Sequence, residues 1–182
     1  MPEFQRLVLF AGAGIACLAT LLLIISVATP SWASDGNGNT IGLFRRCFST
    51  ESAYYASGAG CHAANRTTQG GLSVFGLLLL IFGVFATIAA AFTRNAMLLL
   101  ASLGLLYFAS MFVMSAYATW GVYSRDPDTY LFPANASSYS FSGHTSLSYS
   151  YNLCVAAHFF LWSALTLVAF GVGHYWGSER NS

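Results

Sequence analysis

Lysine is absent from this chain of 182 residues, and charged residues of all kinds make up only 7% of it. Ordinary soluble domains carry about 25% charged residues, so this chain has too few to cover a water-facing surface. The formal net charge of +1 gives no field that would attract nucleic acid. The arginines also form no cluster of the kind that attracts acidic lipid. The composition therefore excludes a nucleic-acid partner and points towards the membrane.

The motifs that catalysis requires are missing as well. The sequence has no nucleophile elbow, no Cys-x-x-Cys pair and no glycine loop that would cradle a phosphate. His62 and His144 are the only loop histidines, and two ligands are a weak basis for a zinc site. We therefore expect a protein that is not an enzyme and has no cofactor, resident metal or small-molecule substrate. All six acidic residues lie in predicted termini or loops: Glu3, Asp35, Glu51, Asp126, Asp128 and Glu179.

The sequence is rich in long apolar segments. Residues 7–29, 72–92, 96–120 and 153–176 form four blocks without Asp, Glu, Lys or Arg. Each exceeds the about 20 residues that cross a bilayer as a helix, and none shows the polar stripe of a soluble helix. The first block is too long for the apolar core of a cleaved secretory signal. The blocks predict a single domain with an all-α bundle of four transmembrane helices.

A few residues inside these blocks have other chemistry. Gly12, Ala16 and Thr20 recur at every fourth position, and Gly76 and Gly83 at heptad spacing, as in faces where helices pack closely. We assign both faces to packing within the bundle rather than to docking of another protein.

His158 lies within the fourth block without a carboxylate in any block to pair with it. We therefore predict a hydrogen bond between helices rather than a proton relay or a metal ligand.

Two loops separate the blocks, at about 30–71 and 121–152. Residues 139–142 and 146–151 alternate apolar and polar side chains, which predicts half-buried strands. Residues 40–49 and 53–55 are also strand-prone, and 35–38 have turn composition. Since an isolated hairpin is marginal in water, we predict a small antiparallel sheet that draws strands from both loops.

The loop residues also indicate the orientation. Cys47 and Cys61 share the first loop, where pairing requires an oxidising compartment, while Cys17 and Cys154 lie in apolar blocks as reduced, buried side chains. The arginine count of the short loops is balanced between the two sides and does not decide the orientation. Asn65 and Asn135 begin candidate glycosylation motifs, and both loops therefore belong on the extracellular side. The termini are then cytosolic.

Several of these residues together resemble the signature of the claudin superfamily, which includes claudins, peripheral-myelin and epithelial-membrane proteins and calcium-channel gamma subunits. The matching positions are Trp32, Gly42, Leu43, Phe44, Cys47 and Cys61. The sequence departs from the family pattern at Phe44, where Trp is usual, and in the long gap between the two cysteines. The resemblance implies a four-helix membrane bundle with a small extracellular sheet. In it, Trp32 would wedge the sheet against the bundle, and Leu43 and Phe44 would plug its mouth.

The resemblance implies two functions that act by contact. One is a plasma-membrane protein of cell–cell junctions, with an adhesive or barrier role, whose loops meet other membrane proteins. The other is an auxiliary subunit that rests laterally against an ion channel or receptor, as gamma subunits do. Tyr130, Leu131 and Phe132 are candidate contacts in either case, because interfaces are enriched in large aromatic side chains. The expected partners are membrane lipid and other membrane proteins.

Overall fold

The protein folds around four long helices. A computed structural model describes residues 3–34, 38–49, 60–63, 67–93, 95–123 and 146–180. Within these ranges the helices are α1 (Glu3–Ala28), α2 (Thr67–Thr93), α3 (Ala96–Tyr123) and α4 (Tyr149–Arg180). All four are long and apolar enough to cross a membrane. This architecture is consistent with a multi-pass membrane protein.

Each predicted apolar block lies within one helix, apart from the last residue of the first block, but the helices are longer than the blocks. Helix α2 begins at Thr67, before the predicted start at 72, and α4 extends from Tyr149 to Arg180 rather than from 153 to 176. Hydropathy marks only the part of a helix that is uniformly apolar. Backbone hydrogen bonds continue the helix into polar sequence at both ends.

The loop strands join into one sheet beside the helix ends. In the described ranges these strands are β1 (Ala33–Ser34), β2 (Thr40–Ile41), β3 (Arg45–Phe48), β4 (Gly60–Ala63) and β5 (Ser146–Leu147), in the spatial order β4-β3-β2-β1-β5. Every neighbouring pair is antiparallel. Because β5 follows α3 and the other four strands precede α2, both loops supply the sheet, as predicted.

The strand bounds correct the sequence prediction in two places. Residues 40–49 are not one strand: β2 and β3 are separated by a turn closed by a 2.8 Å bond from Gly42 N–H to the Arg45 carbonyl. Strands β1 and β4 were not predicted at all, since two to four residues are too few for a periodic signal. Residues 53–55 and 139–142 lie outside the described ranges.

A further correction concerns 146–151, where a strand was predicted. Only Ser146 and Leu147 are in a strand, Leu147 is 41% exposed, and helix α4 begins at Tyr149. The N–H of Ser148 still donates to the Trp32 carbonyl of the sheet at 3.1 Å, while its own carbonyl already accepts from the N–H of Asn152. The alternating pattern thus covers the end of a strand, one connecting residue and the start of a helix.

Glycines at the helix contacts explain how the bundle closes. A Cβ at Gly12 would lie 3.0 Å from a methyl of Val168 on α4, and one at Gly83 would lie 2.8 Å from Leu106 on α3. A Cβ at Gly76 would lie 3.0 Å from a methyl of Val113, also on α3. Ala16 is buried as well. The small faces of α1 and α2 therefore pack within the bundle, which confirms the sequence prediction.

Candidate functional site

The strongest candidate site is the junction where the sheet rests on the helix ends. Trp32, four residues beyond α1, is 0% exposed, and its ring meets Trp120 of α3 and Tyr151 of α4 edge-on at centroid distances of 5.3 and 6.0 Å. Its indole N–H donates to the carbonyl of Ser26 at 2.8 Å. Buried Trp gains most when both its ring and its N–H have partners. Trp32 therefore fastens the first strand to three helices.

Hydroxyl groups connect the end of α1 to the start of α4 at this junction. Ser26 Oγ donates to the carbonyl of Ser150 at 2.6 Å, and the N–H of Ser150 donates to the carbonyl of Ser31 at 3.1 Å. Thr29 Oγ1 donates to the Ile25 carbonyl at 2.7 Å, so the hydroxyl of Ser150 is the donor in its 2.7 Å contact with Thr29. These bonds hold the end of α1 against the start of α4.

Gly42 is required by a close approach between backbone segments. A Cβ at this position would lie 2.6 Å from the Cα of Pro30 and 3.0 Å from the carbonyl oxygen of Thr29. The next residue, Leu43, is 1% exposed and belongs to the same core cluster as Trp32. Leu43 thus enters the mouth of the bundle, as the resemblance implied.

Phe44 does not plug the bundle, which corrects the second half of that expectation. Its side chain is 44% exposed, and its ring lies on Gly70 of α2, where a Cβ would be 2.8 Å from Cε1. Successive residues of this turn point in different directions, so only Leu43 faces inward. Phe44 covers the first turns of α2 from outside.

The disulfide links the edge strand β4 to its neighbour β3. Cys47 of β3 lies directly opposite Cys61 of β4 in the antiparallel register, and the two are bonded, as predicted. Cys17 and Cys154 are free, and Cys154 is buried as expected. Cys17 is exposed on the outer surface of α1 rather than buried. An apolar block contains outward and inward positions alike, and the sequence did not distinguish them.

His158 connects α3 to α4 in the middle of the bundle. Trp162 Nε1 donates to its Nε2 at 3.0 Å, so Nε2 is an acceptor and Nδ1 bears the hydrogen that reaches Tyr117 OH at 3.1 Å. Ser110 Oγ is also 3.0 Å from Nε2. Both ring nitrogens therefore form hydrogen bonds, to α3 and within α4. This is the packing role that the sequence predicted.

Replacing His158 with leucine is expected to destabilise the bundle only moderately. Hydrogen bonds between membrane helices average about 0.6 kcal/mol and reach about 1.7 kcal/mol. A fall in melting temperature of a few degrees in detergent would agree with these magnitudes. Tyr117→Phe, which removes one bond and preserves the ring, is the control and should cost less. A His158→Leu variant that melts at the same temperature as the wild type would contradict the packing role.

Gly42→Ala should be much more harmful than its single added methyl suggests. The new Cβ would clash with backbone atoms of Thr29 and Pro30, which cannot rotate away as a side chain does. Overpacking of this kind costs typically about 1–3 kcal/mol. Gly14→Ala is the control, since a Cβ there meets no atom within 4 Å beyond its chain neighbours and the backbone of its own helix, and alanine favours the helix. Equal surface delivery of the two variants would refute the close approach.

Several predicted residues lie outside the described part of the chain. They are the candidate contacts Tyr130, Leu131 and Phe132, the glycosylation candidates Asn65 and Asn135, and His144. Their roles stay predictions. Three residues that contribute to the junction were not predicted to do so: Ser26, Gly70 and Trp120. Ser26 alone carried a signal, as a polar residue in the last turn of an apolar block.

Comparisons with protein-family models and with curated proteins found no match to this chain.

Proposed function

We propose that this chain is a claudin-like plasma-membrane protein that acts by contact, at cell–cell junctions, through an adhesive or barrier role of its loops. The supporting observation is the sheet, which combines strands from both loops and is fastened to the bundle by Trp32 and Ser150. A surface that meets another membrane has to keep its shape outside the bilayer, and such an anchor provides this. Neither a catalytic residue nor a cofactor is part of the proposal.

In the proposed topology the termini are cytosolic and both loops face the cell exterior. The Cys47–Cys61 disulfide supports this orientation, since it needs an oxidising compartment. The sheet lies at the α1 C-terminus and the α4 N-terminus, so the chain termini lie at the other end of the bundle. Epitope tags at either terminus should be detected only after permeabilisation. A terminal tag that antibodies label on intact cells would contradict the topology.

The contact function is tested with two cell populations that carry the protein with different fluorescent tags. Adhesion between copies predicts enrichment of both colours where two expressing cells touch, and none where an expressing cell touches a cell without the protein. Enrichment against cells without the protein would instead indicate a different partner molecule. An even surface distribution in every pairing would argue against the junctional role.

Phe132→Ala provides a variant for the same assay. A few aromatic anchors usually dominate an interface, so we expect surface delivery to stay normal while enrichment at contacts falls. Surface biotinylation measures delivery and the two-colour assay measures contact. If Phe132→Ala is retained inside the cell, Phe132 belongs to the folded core and the assignment is wrong.

The alternative function is an auxiliary subunit bound laterally to an ion channel or receptor. It is favoured by the outer surface of α1, where Gly14 has open space around it and Cys17 is exposed. Small outward residues allow another membrane helix to approach closely. Co-purification of one channel or receptor after crosslinking at Cys17, together with an even surface distribution, would favour this function over adhesion.

A further inference from the structure

A cleft opens at the outer end of α1, beside the sheet and outside the packed junction. It has a volume of about 300 Å³ and is lined by Val27, Ala28, Thr29, Pro30, Phe44 and Arg45. The hydroxyl of Thr29 is already engaged with Ile25 and Ser150. Apart from Thr29 and the guanidinium of Arg45, the side chains that line the cleft are apolar.

The cleft lies where an embedded bundle would leave the hydrocarbon. Helix α1 ends at Ala28, and the first strand begins at Ala33, so the lining residues are between the apolar span and the sheet. Below the cleft the outward face of α1 continues with the exposed side chains of Leu21, Ile24 and Ile25. An apolar track thus runs from the bilayer interior directly into the cleft.

Arg45 gives the upper end of this track its charge. It is exposed on β3, and no acidic side chain is among the residues that line the cleft. A guanidinium offers several donors in a fixed planar arrangement that matches the oxygens of a phosphate. Phe44 beside it supplies an exposed aromatic ring of the kind that settles at the membrane–water interface. A phosphate above an acyl chain has the same order of polar and apolar parts.

We propose that this cleft binds one phospholipid from the leaflet on the sheet side, with its phosphate on Arg45 and an acyl chain along Val27, Ile24 and Leu21. This inference depends on the membrane placement proposed above, but not on adhesion or on any protein partner. It also differs from the attraction of acidic lipid by a basic cluster, which the sequence excluded. A single arginine at the end of an apolar track selects a phosphate by position, whatever the net charge of the headgroup.

The test uses the purified, full-length protein and measures bound lipid by native mass spectrometry. The probes are phosphatidylcholine and a diacylglycerol with the same acyl chains, which lacks the phosphate. We expect phosphatidylcholine to bind in a one-to-one ratio and diacylglycerol to bind about tenfold more weakly, the usual order for the loss of a charged hydrogen-bond partner. Equal binding of the two would overturn the role assigned to Arg45.

Substitutions in the cleft test whether the lipid binds there. Arg45→Gln should lower phosphatidylcholine occupancy about tenfold, and Phe44→Ala should lower it by removing one wall. Arg6→Gln is the matched control, since Arg6 is also exposed but lies at the opposite end of α1. Melting temperature verifies that each variant is folded. A loss of occupancy in Arg6→Gln as large as in Arg45→Gln would refute the location.

Two further arms separate a lipid site from a plain anion site. Inorganic phosphate in excess should not displace phosphatidylcholine, and glycerophosphocholine, which has no acyl chains, should bind far more weakly. If inorganic phosphate displaces the lipid, or if glycerophosphocholine binds as tightly as the lipid, the apolar track contributes nothing and the proposal fails. Failure of these binding tests would leave the two-colour contact assay unaffected, so the two proposals are judged separately.

Discussion

Replacing Trp32 with alanine should give the largest loss of stability and of surface delivery of any single substitution considered for this protein. The indole is fully buried between α3 and α4 and also bonds to the end of α1. Truncation of a buried Trp costs about 3–5 kcal/mol, a large part of a typical domain's net stability. Surface biotinylation should show most of the variant retained within the cell, and its melting temperature in detergent should fall by roughly 10 °C or more.

Trp32→Phe separates the two contributions of this side chain. Phenylalanine preserves an aromatic contact with Trp120 and Tyr151 but loses the 2.8 Å hydrogen bond to Ser26. A buried acceptor that loses its donor costs about 1–3 kcal/mol, so this variant should lie between the wild type and Trp32→Ala. If Trp32→Ala travels to the surface and melts like the wild type, the sheet does not depend on this anchor.

Removing the disulfide is expected to have the second largest effect. Cys47 and Cys61 are 14 residues apart in sequence, and the chain-entropy account assigns about 3 kcal/mol to closing a loop of about this length. We expect the Cys47→Ser, Cys61→Ser double variant to lose much of its surface delivery and to expose β4 to proteolysis. The double substitution avoids leaving one unpaired thiol in an oxidising compartment.

Cys17→Ser is the matched control for the disulfide variant. Cys17 is free and exposed on α1, so the same atomic change there removes no crosslink and should leave delivery unchanged. Peptide mapping without reduction should find Cys47 joined to Cys61, with Cys17 and Cys154 alkylated. Two alkylatable loop thiols in the native, unreduced protein would contradict the pairing.

The four helices and the disulfide were predicted from different kinds of sequence information. The apolar blocks predicted four helices because burial in a bilayer requires about 20 apolar residues in a row, a signal that each segment carries by itself. The disulfide could be predicted because two cysteines in one loop have few alternatives. Neither inference needed to know which segments become neighbours.

The sheet was harder to predict than the helices. Strands of two to four residues have too few positions for alternation to appear, which is why Ala33–Ser34 and Gly60–Ala63 were missed. Their hydrogen bonds come from residues far away in the sequence, such as Ser146 and Leu147 opposite Ser34 and Ala33. In the same way, 146–151 alternates like a strand although its second half, from Tyr149, begins a helix.

The four long apolar helices of the described residues, the bonded pair of cysteines and the small faces used for helix packing could all be predicted, because each follows from composition or spacing within one segment. The direction of neighbouring side chains could not be predicted, since it depends on tertiary packing. Leu43 enters the bundle while Phe44 lies outside on Gly70, and Cys17 faces outward although its block is uniformly apolar. These directions depend on which segments pack against each other, and such packing joins residues that no local pattern connects.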